Sequence, residues 1–220
     1  MDIDDLLAEV ESTAIPRSTR DLQELTRAWV TERAAPELMP WPEDLMARVL
    51  ERIARQIALV EDQTGILDPK TNFKLIIIQT ELERFKFLVR SFLRARLKKI
   101  DAHPLHLLAL HSSTPAGAPL LSPQEHAYLT AHQALLSTHY ATSFLSQFPA
   151  SLQRLDDTTG GTSMVEKPDE DAAVFVRAIR DVGEVWVEGT ENRFEMKRGD
   201  VWVVRWSAVR SFVLGGAGEL

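Results

Sequence analysis

The 220-residue chain contains no cysteine. That excludes disulfides and thiol chemistry, removes the commonest structural zinc frameworks, and suits a reducing compartment. No apolar run approaches the length of a membrane span, so no membrane partner is expected. The first residues are acidic where a secretory leader would be basic, so no export is expected and the setting is cytosol or nucleus. Net positive charge is also lacking. At −7 the chain is not one whose whole surface is built to hold nucleic acid. Catalytic signatures are missing as well. Gly160-Gly161 and Gly215-Gly216 lack the flanking Lys-Ser/Thr or the strand-turn-helix context of a phosphate loop. No serine stands in a nucleophile elbow. None of the six histidines (His103, His106, His111, His126, His132, His139) has an i, i+4 partner, and no acidic cluster accompanies them. Glu81 and Glu83 point to different helix faces and read as ion-pair partners of Arg84, Lys86 or Arg90 rather than a catalytic couple. No enzyme, metal or cofactor is expected.

What is present is a long uninterrupted helix. Phe73 to Asp101 has neither Pro nor Gly. Its apolar residues Leu75, Ile78, Leu82, Phe85, Val89 and Phe92 alternate in steps of three and four, the period of one helix face. A second row (Leu88, Leu93, Leu97, Ile100) lies beside the first, and Ile76, Ile77 and Phe87 reach further round. Such a helix is roughly 43 Å long and needs cover on several sides, from its own chain and from partner chains.

Other elements assemble around this spine. Ser18 and Asp21 predict a helix start of capping-box type, with Leu22, Leu25 and Trp29 on one face and a stop before Pro36. A second helix is expected from Pro42 through Leu45, Val49, Ile53, Ile57 and Val60 to a cap at Gly65. His103 to His111 allows a turn or two, and SSTPAGAPL reads as a loop. Ser122-Pro123-Gln124-Glu125 joins cap, first-turn proline and capping-box glutamate in the clearest helix start of the chain.

The character changes near residue 150. Short β-branched and aromatic runs predict strands at 174–179, 185–187, 194–196 and 201–205, with Arg198-Gly199-Asp200 as a turn. The expected fold is mainly α: a helical bundle domain (18–150), a linker (151–164), and a small β-rich domain (165–220), of a size whose core is marginal and usually leans on a neighbour. Residues 1–17 form a tail. Its Ile3, Leu6, Leu7 and Val10 share a helix face behind Asp2, Asp4 and Asp5. Two readings stand: a tail that packs on its own domain or stays disordered, and a short linear motif that docks as a helix in a partner's groove.

The basic run Arg84, Lys86, Arg90, Arg94, Arg96, Lys98, Lys99 puts positive charge on the spine. It could contact phosphate, but the helix is too apolar to lie free in a DNA groove. Salt bridges to an acidic partner subunit are the stronger reading, and a helical DNA-binding protein using this arginine-rich helix is the alternative.

These residues resemble a known family. AWVTERAAPELM (Ala28 to Met39) is similar to the AW-x-x-E-x-x-APELL stretch of the GINS subunit family called Sld-five. Gln79, Glu81, Glu83, Arg84 and SFLRARLKKI (Ser91 to Ile100) resemble its central signature, and Leu121-Ser122-Pro123 with Glu125 its LSPEE helix start. Pro168, Asp169 and the strand AVFVR (Ala173 to Arg177) resemble its PD-x-x-x-YVF-x-R, with Ala173 and Phe92 where the family often has Tyr. The likeness runs from about residue 20 to the C-terminus. It implies a non-catalytic subunit of a nuclear heterotetramer with three other GINS subunits, joined to the MCM helicase and its RecJ-like partner, with DNA contact at most indirect or within the full helicase. DIDDLLAEVE also resembles the short motif by which fungal members bind a trimeric replisome hub protein; the matching positions are Asp4, Asp5, Leu6, Leu7, Ala8 and Glu9. The subunit-interface candidates are Trp29, Glu83, Arg84, Phe87, Phe92, Arg94, Arg96 and Phe175.

Overall fold

A computed structural model describes residues 16–63, 69–113, 119–154, 164–187 and 193–220. The N-terminal motif at Asp4 to Glu9, the cap expected at Gly65, the centre of the Ser/Pro loop and most of the linker lie outside these residues. Described helices are α1 (Arg17–Ala34), α2 (Glu43–Gln63), α3 (Pro69–Ala102), α4 (Pro104–Ser113), α5 (Pro123–Ser143) and α6 (Trp206–Leu214). Strands are β1 (Ala173–Ala178), β2 (Gly183–Trp186), β3 (Arg193–Met196), β4 (Val201–Arg205) and β5 (Gly218–Glu219).

The spine, α3, is longer than its apolar period requires: 34 residues, or about 51 Å, because it starts on Pro69. Proline has no N–H to waste there and its φ is already helical. Leu75, Leu82, Phe85, Val89 and Phe92 are all buried, the face the three-four spacing predicts. The cap expected at Ser18 is not used. Helix α1 starts one residue earlier, Ser18 lies within it, and the N–H groups of Thr19 and Arg20 donate to the Pro16 carbonyl. Asp21 instead receives Arg48 Nε of α2 at 3.0 Å.

By its contacts the chain forms two compact units. The first is 1–30 with 42–93, and the second is 31–41 with 94–220, so the boundary crosses both α1 and α3. In the first unit, α2 buries Leu45, Met46 and Val49. Its Arg48 also reaches Glu24 of α1 at 3.0 Å, and the Arg52 guanidinium lies 4.6 Å from the Phe85 ring centre of α3.

In the second unit, two cores share one segment. Leu38, Ile100, Leu107, Leu121 and Leu129 make the helical core. The other core joins the sheet to α6. Strand β1 runs antiparallel to both β4 and β5 in the order β4-β1-β5, while β2 and β3 pair separately. Val174, Val176 and Ala178 alternate inward along β1 and meet Val185, Met196, Trp206, Val209 and Val213. Ala35 belongs to this core, and Met39 packs against it. So the sheet module does lean on a neighbour, the connection that follows α1.

Helix α6 follows the last of the strands predicted from the sequence, in a stretch for which no helix is predicted. Trp206, Val209 and Val213 are spaced three and four and bury one helical face over the sheet. Close packing continues at β5, where a Cβ on Gly218 would sit 3.0 Å from Val176 Cγ2. The Arg198-Gly199-Asp200 turn is present, with Gly199 at φ 90°, a conformation costly for any residue with a side chain.

Candidate interaction surfaces and the charges behind them

Arg96 was expected at a subunit interface; it is fully buried. The spine's stripe explains why. One more step of four from Phe92 lands on Arg96, and another on Ile100, which is also fully buried. Thus Arg96 occupies a core position, and that step is the sequence signal that would have found it. A guanidinium has five N–H donors, and this one makes five hydrogen bonds. Nε donates to Glu125 Oε1 (2.7 Å) and Nη2 to Glu125 Oε2 (3.0 Å). Nη1 donates to Glu32 Oε2 (2.9 Å) and the Met39 carbonyl (2.7 Å), and Nη2 also to the Leu120 carbonyl (2.8 Å). The Trp41 ring centre is 5.2 Å from its Cζ.

The two acids are held equally firmly. Glu125 closes the capping box of α5: its N–H donates to Ser122 Oγ (3.1 Å), and the Ser122 N–H donates to its Oε2 (2.9 Å). Glu32 accepts at Oε1 from Lys99 Nζ (2.6 Å), which also donates to the Glu37 carbonyl (2.7 Å). Burial pulls the Lys99 ammonium below its ordinary pKa, and the Glu32 carboxylate opposes that pull. Two cations thus face two carboxylates with every Arg96 donor used. This is what lets charge sit in a core.

Glu37 carries the same segment to the sheet module. Its Oε1 accepts from Trp206 Nε1 (3.0 Å) and from Arg210 Nε of α6. That bond raises the Arg210 pKa above its usual value. A sequence reader sees Glu37 only as part of an APEL string; its partners are far away in the chain.

The remaining interface candidates divide. Phe92 is 1% exposed, so, like Arg96, it offers another chain no side-chain surface. Trp29 and Phe87 come together in the first unit, edge to face with ring centres 6.3 Å apart. Phe87, Glu83 and Arg84 line one groove of about 710 Å³ with Leu22 and Thr26 of α1. Glu83 pairs with Lys86 and Arg90 at 3.2 Å each, and the Lys86 hydrogen bond holds its carboxyl below the usual range. Arg84 pairs with Glu81 at 3.0 Å. Arg94 is exposed. Phe175 stands on the outer face of β1 opposite Val203 of β4, both open to solvent. Beside the groove residues, Phe73, Ile76 and Ile77 on the first turns of α3 are half or more exposed.

Among the histidines, the His111 and His126 rings approach to 4.5 Å, and His132 stacks on Tyr128 at 5.7 Å. The Tyr128 hydroxyl donates to Asp101 (2.9 Å), which raises its pKa. Among the described residues no three His, Asp or Glu side chains converge on a common point. No helix among them is long and apolar enough to cross a membrane.

Charge spent inward and apolar surface turned outward on a helical body are the pattern of an assembly component. Comparison with known proteins agrees. Residues 47–144 match the family model of the GINS complex protein helical bundle domain, and residues 168–220 that of the DNA replication complex GINS protein SLD5 C-terminus. The chain is 52% identical to the DNA replication complex GINS protein SLD5 of Chaetomium globosum, covering 100% of each chain. It is 38% identical to that of Yarrowia lipolytica over 98% of this chain and 83% of the relative. With that of Schizosaccharomyces pombe it shares 36% over 100% of this chain and 98% of the relative. The chain belongs to the SLD5 family of GINS DNA replication proteins.

Proposed function

We propose that this chain is a non-catalytic structural subunit of a nuclear GINS heterotetramer, acting with MCM and its RecJ-like partner in the replicative helicase. One observation carries the reading: α3 leaves Phe73, Ile76, Ile77 and Phe87 exposed at 67, 60, 50 and 58%. An apolar helical face of this extent is covered by another protein in a working complex. Phe175 and Val203 give the sheet module a second such face. The ionisable groups that active-site chemistry would recruit (Arg96, Lys99, Glu32, Glu125) are used inside the fold.

The DNA-binding alternative loses most of its cluster. Arg96 is buried, and Arg84, Lys86 and Arg90 pair with glutamates on their own helix. The deciding measurement is solution mass after co-expression with the three candidate partners. A 1:1:1:1 complex is expected. A monomer that ignores those partners, or that binds duplex DNA with a steep salt dependence, would overturn the reading.

The N-terminal motif gives a separate prediction. Replacing Leu6 and Leu7 by Ala removes the middle of the apolar face expected of the docking helix. Binding to the trimeric hub protein is expected to drop below detection while the tetramer keeps its mass. Loss of the tetramer would refute a linear motif.

A further inference from the structure

A hollow of about 190 Å³ lies between the connection after α1, helix α4 and the sheet module. Pro36, Pro40, Leu107 and Leu110 give it apolar walls, and His106 and Arg210 stand among them. It is larger than the ~150 Å³ that accepts benzene in a dry core. Its polar groups are mostly donors. Arg210 gives only Nε to Glu37, so its two η nitrogens keep their N–H groups free among the described residues. His106 has no hydrogen-bond partner there either. Burial, then the charge of Lys167 and the nearby His103, push the His106 pKa down, while Glu170 and Glu37 oppose the shift. At neutral pH it therefore offers a neutral ring N–H.

We propose that this hollow is a docking site for a glutamate side chain presented by a protein partner. A carboxylate matches the open η edge of Arg210 with two parallel hydrogen bonds, a geometry a lone carbonyl cannot fill. The methylenes of glutamate match the proline and leucine walls, which a phosphate would leave uncovered. Glu37 also lines the hollow, with its Oε1 taken by Trp206 and Arg210 Nε, so the incoming carboxylate is the second acid on Arg210, as Glu32 and Glu125 share Arg96. This goes beyond the assembly reading, and it does not depend on which protein supplies the residue.

The test uses the full chain, labelled at leucine methyls and histidine, with three probes: N-acetyl-Leu-Glu-amide, N-acetyl-Leu-Gln-amide and inorganic phosphate. The Glu peptide is expected to shift the resonances of His106, Leu107 and Leu110 saturably, with affinity at least about tenfold above the Gln peptide. Leu110→Trp, which fills the rim, is expected to abolish the shifts at unchanged melting temperature. Arg210→Gln, which removes both the charge and the fork, is expected to erase the preference for Glu over Gln. Equal binding of the two peptides, no saturable shift, or phosphate binding as tightly as the Glu peptide would each overturn the proposal. Failure here leaves the tetramer mass unaffected, so the two readings fail separately.

Discussion

Replacing Arg96 by Met is expected to destabilise the chain by about 3–5 kcal/mol, the usual cost of removing one partner from a buried charge network. Methionine fills much of the same space, so the loss is not chiefly one of packing. It strands Glu125, which keeps only its capping contacts, and leaves the Met39 and Leu120 carbonyls without a donor. At about 2–4 °C per kcal/mol for a chain of this size, the melting temperature should fall by roughly 6–20 °C. Two controls separate the causes. Arg84→Met breaks an exposed pair with Glu81 and should cost less than about 1 kcal/mol. Arg96→Met combined with Glu125→Leu should recover part of the loss, because the stranded carboxylate goes with the cation, while Glu32 retains Lys99. A loss below about 1 kcal/mol for Arg96→Met would mean that the site is wetter and softer than its geometry implies.

The second large effect is expected at Trp206. It is fully buried, and truncation to Ala should cost about 3–5 kcal/mol. The loss should be confined to the sheet module. Amide exchange is expected to accelerate in β1, β4 and α6 while α5 keeps its protection. Trp206→Phe isolates the polar part. It keeps most of the ring and removes the donor to Glu37, so about 0.5–1.5 kcal/mol should be lost. If Trp206→Ala melted α5 and the sheet together, the two cores of the second unit would behave as one cooperative body, and the segment between them would be more than a shared strip.

Much of this was legible beforehand, for identifiable reasons. The spine's buried face follows from its three-four spacing, because a single apolar period decides it without reference to distant residues. Ser122 could be assigned as a cap since all its partners lie within three residues. The strands at β1 and β4 follow from β-branched runs between turn residues. Elsewhere the sequence misled. Arg96 looks like one more member of a basic run, and only the stripe's continuation betrays it. Ser18 has the right spacing for a cap, but Pro16 starts the helix sooner. Helix α6 is rich in β-branched and aromatic residues, which lowers helix propensity; packing of Trp206 and Val209 against the sheet overrides it. Glu37 had no local signal, since its partners Trp206 and Arg210 lie 169 and 173 residues away.

That separation has a consequence for how the protein is made. Ala35, Glu37 and Met39 leave the ribosome long before the residues that will cover them. At about 5–20 residues per second, they wait roughly ten to thirty seconds for Trp206 and Arg210 to be synthesised. During that interval an apolar strip with an unattached carboxylate is open to any chaperone or nascent partner nearby. The last forty residues of the chain are therefore also what ends its exposure.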